Sequence, residues 1–337
     1  ISQVPEAVFR PATTAELSRI MATCSAHGMP MVVQGGLTGL SNGATPCAGE
    51  VAISLERMNV LGAVDPVSAT VCAGAGVTLQ RVQDAAAAEG LSFGVDIGAR
   101  GSATLGGLAA TNAGGLNVIQ RGMMRAHVVA LEVVLADGRV LGHVRPLAKD
   151  NSGFDLKQLF IGAEGTLGIV TGAVLKLFPK PQVTRTALLA CADIDAVLAL
   201  YALARRCCCD LRTAFELIPR QGLDFALKHV ARTVDPLEAR HPWYLLIEAS
   251  SGLDNDGVRD YLVCAPGEND PNGVPNPFGW SNQAGSIRVY SGATKTELFH
   301  FYGTTVQIGP NVFGANLGGS AEGVGDVNND GHDDVAV

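Results

Sequence analysis

Three stretches of the sequence concentrate glycine: "QGGLTGLSNGATP" (34–46), "GARGSATLGGLAATNAGG" (98–115) and "GAEGTLGIVT" (162–171). Glycine accepts positive φ and lets backbone amides come close to an anion. Successive N–H groups form a concave anion seat. Ser102, Thr104, Thr111 and Asn112 add side-chain donors to the second stretch. The chemistry such loops offer is the holding of phosphate oxygens. Each loop alone is better explained as a tight turn or close strand packing. Neither GxGxxG between a strand and a helix nor GxxxxGK[ST] occurs, so a Rossmann or P-loop site has no support.

A second constellation is acidic. "DVNNDGHDD" places Asp326, Asn328, Asp330 and Asp334 at alternating positions, with Gly331 for a sharp turn and His332 offering a carbonyl. Hard oxygen ligands at this spacing suit Ca²⁺. No glutamate closes the loop as in an EF-hand, and a solvated Asx-rich turn is the alternative. Gly252, Asp254, Asp256 and Asp260 repeat the spacing, with glycine in place of the leading carboxylate. None of the seven histidines sits in an HxH or HxxxH pair. His127 is the best candidate base, against an ordinary packed histidine. Arg121 and Arg125 either face an acidic group or make structural salt bridges.

The elements around these loops are short and alternate. Thr13 and Glu16 form a capping box for a helix over 13–27 carrying Leu17, Ile20, Met21 and Cys24, closed by Gly28. "MPMVV" is a buried strand running into the first loop, and "VAISL" and "ATVCAGAG" are further strands. Thr78 caps a second helix, 79–89. "VVALEVVLADGRVLG" is a hairpin around Ala-Asp-Gly, and "LGIVTGAVLKLFP" is expected to give two short strands. This pattern predicts an α+β domain over residues 1–181. "PKPQV" (179–183) is a linker. A second α+β unit begins over 182–251 with "TALLACAD", a helix capped by Asp193 and carrying Val197, Leu200, Tyr201 and Ala204, then "DLRTAFELI" and "WYLLIEAS". From 252 to 337 helical periodicity vanishes and Gly, Asn, Asp and Pro separate β-like runs.

Composition bounds the function. A chain of 337 residues, 47% hydrophobic, is long enough for two domains and folds. A net charge of −8 argues against nucleic-acid partners. The apolar run Ala196–Ala204 is far short of the ~20 residues that span a bilayer. The eight cysteines show no CxxC, so free thiols in a reducing, cytoplasmic setting are expected for the glycine-loop part. The chain opens at Ile1 without a signal-peptide pattern, and an earlier start is expected.

Taken together, "VVQGGLTGLSNGATP", "LERMN", "DIGARGSATLGGLAATNAGG", "RGMMR" and "LFIGAEGTLGIVT" occur in the order and near the spacing of FAD-linked oxidases of the vanillyl-alcohol oxidase superfamily. Residues 1–250 most resemble the D-2-hydroxyglutarate and D-lactate dehydrogenases within it. The resemblance implies a two-part FAD-binding domain. Gln34, Gly35, Gly36, Leu37, Thr38, Gly39 and Gly43 would wrap the pyrophosphate. Gly101, Ser102, Thr104, Gly106, Gly107, Thr111, Asn112, Gly114 and Gly115 would line the cofactor. Glu164, Gly165, Gly168, Ile169 and Val170 would complete the site. It also implies a small 2-hydroxy acid as substrate, with hydride passing from its Cα to flavin N5. Leu37 stands where some relatives carry a flavin-linked histidine, which implies non-covalent FAD. Asn117 stands where relatives commonly have arginine. The histidine-bearing "GEHGIG"-like stretch of the family does not occur, which implies a flavin-binding chain that lacks part of its catalytic domain.

The tail resembles something else. "DNDGVRDYLVCAPGEN", "GSIRVYSGAT" and "NVFGANLGGSAEGVGDVNNDGHDDVAV" are similar to FG-GAP repeats, the blades of integrin-α-type propellers, whose acidic loops hold calcium. The expectation is a junction near Ser251, between part of an FAD enzyme and about one blade, with an artificial join as the favoured origin.

Overall fold

The computed structural model describes residues 4–142, 147, 152–208, 211–237 and 239–251, and beyond these only the backbone of short strands. The chain divides into two compact units, Ile1–Lys180 and Pro181–Val337.

The first unit has two layers of strands. Strands β1 (Ala7–Phe9), β2 (Met31–Gln34) and β3 (Val51–Ser54) form a parallel sheet in the order β1-β3-β2. Helix α1 (Thr14–Ala26) makes the crossover from β1 to β2. The Thr13 hydroxyl accepts from the Glu16 amide at 3.2 Å, and the Glu16 carboxylate accepts from the Ala12 amide at 2.7 Å. Both ends of the capping box are thus satisfied, one residue further back than the usual pairing.

Strands β4 (Leu61–Asp65) and β5 (Thr70–Gly74) open the second layer, followed by helix α2 (Leu79–Ala88) and the two-residue strand β6 (Leu91–Ser92). After helices α3 (Leu105–Ala110) and α4 (Val118–Arg121) come β7 (Val128–Val134), β8 (Val140–Gly142), helix α5 (Lys157–Phe160), β9 (Ile169–Lys176) and β10 (Phe178–Pro179). The main sheet is antiparallel, ordered β4-β5-β9-β7-β8. "LGIVTGAVLKLFP" gives two strands as expected, but unequal ones: the eight-residue β9, buried along all but its last residue between β5 and β7, and the two-residue β10. One sequence expectation changes here. Pro179, expected in the linker, pairs with Leu91 instead.

The two layers share a core through α1. Leu17 and Met21 pack with Ile53 and Leu55 of the first layer and with Val134 and Ile169 of the second. The Thr14 and Thr171 hydroxyls both donate to Glu132 Oε1, at 2.5 and 2.7 Å. Ser18 donates to the Gly138 carbonyl, and Gly138 turns the β7–β8 hairpin at φ +86°. A glycine is required there, since an added Cβ would meet the Ser18 carbonyl at 2.6 Å.

In the second unit, β11 (Val183–Cys191), β12 (Arg212–Pro219) and β13 (Trp243–Ser251) form an antiparallel sheet in the order β11-β13-β12. Helix α6 (Ile194–Cys207) covers one face, packing Val197 and Leu200 with Leu245 of β13, and Asp193 caps it by accepting from the Ala196 amide at 2.8 Å. Helix α7 (Arg220–His229) follows β12. Arg220 binds Asp224, Asp235 and the hydroxyl of fully buried Tyr244. Cys24, Cys47, Cys72, Cys191 and Cys208 are free thiols. No helix among the described residues is long and apolar enough to cross a membrane.

The tail contributes backbone only. Strands β14 (Tyr261–Ala265), β15 (Ser286–Tyr290) and β16 (Glu297–Tyr302) form an antiparallel sheet, and β17 (Gln307–Ile308), β18 (Asn311–Val312), β19 (Glu322–Gly325) and β20 (Asp334–Ala336) make two further pairs. The acidic positions Asp254, Asp256, Asp260, Asp326, Asn328, Asp330 and His332 lie outside the described residues, and Asp334 is described in backbone alone.

His127 is a core residue. Its ring is fully buried, edge-on to Phe93 and Phe178 at 5.5 and 5.6 Å, with Nε2 3.3 Å from the Gly122 carbonyl. Burial first, then the nearby Arg121 and Lys176 charges, hold its pKa below the ordinary value. The unfolded chain therefore takes up the proton first as pH falls. Stability is complete above about pH 6.5 and declines below it. Denaturant unfolding at about pH 7 and pH 5 should show this loss, and His127→Phe should flatten the slope; an unchanged slope would remove His127 as its source.

Candidate functional site

The first glycine loop leaves the C-terminal end of β2, the second leads into and out of α3, and the third leads into β9. The structure brings all three together. Gly36 lies on the second loop so closely that a Cβ there would overlap the Ser102 carbonyl. A Cβ on Gly35 would meet Thr104 Oγ1 at 2.5 Å, with the Gly107 backbone 3.8 Å away. The third loop is tied to α3 by the Gly162 and Glu164 amides, which donate to the carbonyls of Ala109 and Ala110 at 3.0 and 2.9 Å. It also reaches the first loop: a Cβ on Gly43 would stand 3.7 Å from Glu164 Oε2, and one on Gly165 3.6 Å from Val33 Cγ2. The anchoring glycines Gly106, Gly115 and Gly168 meet Ala75, Asp96 and Val133.

The backbone is strained where the loops meet. Leu37 (φ +54°), Asn42 (+58°), Asn112 (+47°) and Glu164 (+52°) all occupy the left-handed region. Residues in such conformations cost about 1–3 kcal/mol each and collect where function over-determines the backbone. Asn42 had no place among the sequence candidates, although asparagine before glycine is a known signal for this conformation.

The donors available to an anion are mostly backbone. From Gly35 to Ala44 no amide donates to any group among the described residues, and residues 37–43 are exposed. Gln34 pins the far side of this loop, Nε2 donating to the Ala44 carbonyl at 3.0 Å. Thr104 is buried with its hydroxyl unpartnered among the described residues. A buried hydroxyl without a partner is costly, and this one lies directly beneath Gly35 of the first loop.

Other candidates have internal employment. Thr111 donates to the Gly107 carbonyl at 2.8 Å, and Asn112 Oδ1 accepts from the Arg125 amide at 2.9 Å. Arg125 donates through Nη1 to the Gln158 carbonyl and Oε1, each at 2.7 Å, and through Nη2 to the Ile161 carbonyl, so it staples the third loop's approach. Arg121 lies 4.2 Å over the Phe178 ring, and burial lowers its pKa. Neither arginine makes the expected salt bridge among the described residues. The Ile169 and Val170 side chains lie in the core, which leaves only their backbone for a ligand. Ser102, Thr38 and Gly101 are exposed on the loops, and Gly39 has open space around it. Gly114 packs on Val118.

An exposed loop of free amides, a buried unpaired hydroxyl and backbone packed too tightly for a Cβ together form an anion cradle of extended length. Residues 5–142 match the family described as FAD binding domain. Over 253 residues the chain is 38% identical to D-2-hydroxyglutarate dehydrogenase, mitochondrial, of Bos taurus, covering 75% of this chain and 46% of that protein. Over 243 residues it is 35% identical to D-2-hydroxyglutarate–pyruvate transhydrogenase of Saccharomyces cerevisiae, covering 72% and 49%. The chain thus spans about half the length of the curated relatives it matches. Among solved structures, alkyldihydroxyacetonephosphate synthase shares the fold with a TM-score of 0.60 at 20% identity, over 72% of this chain and 47% of that one.

Two substitutions separate cradle from scaffold. Gly107 has no positive φ, and a Cβ there meets only Thr104 Oγ1 at 3.6 Å, so the fold has room for a side chain. Gly107→Val is expected to fold and to lose flavin, with at least tenfold weaker FAD binding by fluorescence titration. Gly36→Ala is expected to lower the melting temperature of the flavin-free chain as well, because its Cβ has only the Ser102 carbonyl to displace. Wild-type flavin occupancy in a folded Gly107→Val would refute this placement.

Proposed function

We propose that this chain is the cofactor-binding part of an FAD-dependent dehydrogenase of small D-2-hydroxy acids, of the D-2-hydroxyglutarate or D-lactate kind. The observation that carries the reading is the convergence of the three glycine loops. Its substrate class rests on the likeness to the two proteins named above. Bound FAD supplies the acceptor for the hydride that leaves the substrate Cα.

The residues present fit such a group. The free amides from Gly35 to Ala44 suit the two negative charges of a pyrophosphate. Gly107 leaves its face open for close approach. Leu37 is exposed and carries no nucleophile, so attachment is non-covalent.

A second reading, flavin binding with little turnover by this chain alone, is favoured by the histidines. Of those described, His27 follows α1, His127 is sealed in the core, His229 ends α7 and His241 lies against Tyr244. None stands at the loops, and general-base work alone is worth about 10²–10⁴ in rate. For the tail, the matched acidic spacings support an FG-GAP-like calcium loop at Asp326–Asp334, stronger than that at Gly252–Asp260, which lacks its leading carboxylate.

Acid precipitation of the purified chain should release yellow flavin into the supernatant; flavin staying with the pellet would contradict non-covalent binding. Under anaerobic mixing, D-2-hydroxyglutarate or D-lactate should bleach the flavin slowly and the L enantiomers not at all. Rapid bleaching by the D acids would overturn the missing-base argument, and bleaching by L acids or an absence of flavin would overturn the proposal. Calcium titration of the full chain should be weakened more by Asp330→Ala than by Asp256→Ala; equal losses would remove the asymmetry.

A further inference from the structure

The second unit contains a buried cation with no use assigned above. Arg212, the first residue of β12, is only 8% exposed, and its Nε and Nη1 have no hydrogen-bond partner among the described residues. Arginine stays protonated at any physiological pH, so the charge cannot be shed on burial. A desolvated, unpaired guanidinium is strongly unfavourable unless an anion joins it. The Tyr201 ring, 5.4 Å from the guanidinium carbon, gives only weak compensation.

The strand register shows where an anion would sit. Ala249 of β13 pairs with Arg185 of β11 on one side and with Arg212 of β12 on the other. Directly opposed residues project from the same face of a sheet. The row across the sheet therefore reads Arg185, Ala249, Arg212, with the short side chain in the middle. Two strand spacings separate the arginines, roughly 10 Å between their Cα atoms. The short side chain of Ala249 thus separates the two arginines along the row, and the position over it is the slot an anion would take. Arg185 is exposed and, among the described residues, hydrogen-bonds only through Nη1, donating to the Thr184 carbonyl at 3.2 Å. The register slip after Arg212 marks a bulge, a device that re-aims a side chain at a strand end. Glu248, beside Ala249 on β13, accepts from the Thr213 hydroxyl.

We propose that Arg185 and Arg212 form an oxyanion clamp over Ala249, taking a small carboxylate or phosphate. The inference stands on the second unit alone and does not depend on the flavin reading. Charge and geometry are shared by the two ligand sources, and the test separates them.

Isothermal titration of the purified full chain at fixed ionic strength, with D-lactate in one arm and inorganic phosphate in the other, is the direct experiment. Binding in either arm is expected, weakened at least tenfold by Arg212→Met and by Ala249→Val. The second variant keeps both charges and fills the slot, so it tests the geometry even where the first misfolds. Arg212→Met should also raise the ligand-free melting temperature, because it removes a buried guanidinium whose Nε and Nη1 have no hydrogen-bond partner among the described residues. Binding by phosphate alone or by D-lactate alone supports the clamp and names its source. No binding in either arm, or binding unchanged in Ala249→Val, would overturn it.

Discussion

Backbone resting directly on backbone is the contact that the first unit depends on. Gly36 against Ser102 and Gly115 against Asp96 are approaches that no other residue type permits, and Gly106 lies less tightly against Ala75, whose Cβ an added Cβ would meet at 2.7 Å. Gly36 joins the first loop to the second, Gly115 closes the second loop onto its own entry, and Gly106 seats α3 beside the end of β5. The Gly106 amide also donates to the Ala75 carbonyl at 2.8 Å, which locks α3 to the exit of β5. With α3 fixed, the third loop has carbonyls to bind and the first has a surface to lie on. The parallel and antiparallel layers then meet through α1, whose buried face belongs to both.

The loops' strain follows from the same contact. Once Gly36 is pressed on Ser102, the chain must turn away at once, and Leu37 does so at φ +54° although it is not glycine. That turn leaves the next amides facing solvent. A cradle made of backbone is held ready before a ligand arrives, which limits the ordering cost of binding. Side chains such as Arg125 and Gln34 act one step removed, holding the loops without offering themselves to an anion.

Local signals were legible in the sequence and distant ones were not. Thr13, Thr78 and Asp193 announce helix starts because capping is decided within four residues, and all three accept the amides expected of them. Ala-Asp-Gly announces the β7–β8 hairpin for the same reason. The length of β9 was hidden because burial between two partner strands, and not its own alternation, keeps it extended through Gly172. His127 gave no sign of its depth, since the rings that enclose it come from Phe93 and Phe178, far away in sequence. The convergence of the glycine loops was legible only through family likeness. Spacing alone does not say that residues 36, 102 and 164 meet.

The most direct measurement is amide hydrogen exchange on the full chain with and without FAD. The account predicts that amides from Gly35 to Ala44, which have no partner among the described residues, exchange freely in the flavin-free chain and become protected on adding FAD, with smaller changes in β9, which is already hydrogen-bonded. Protection confined to other segments, with residues 35–44 unchanged, would contradict the claim that this backbone is the cofactor's seat.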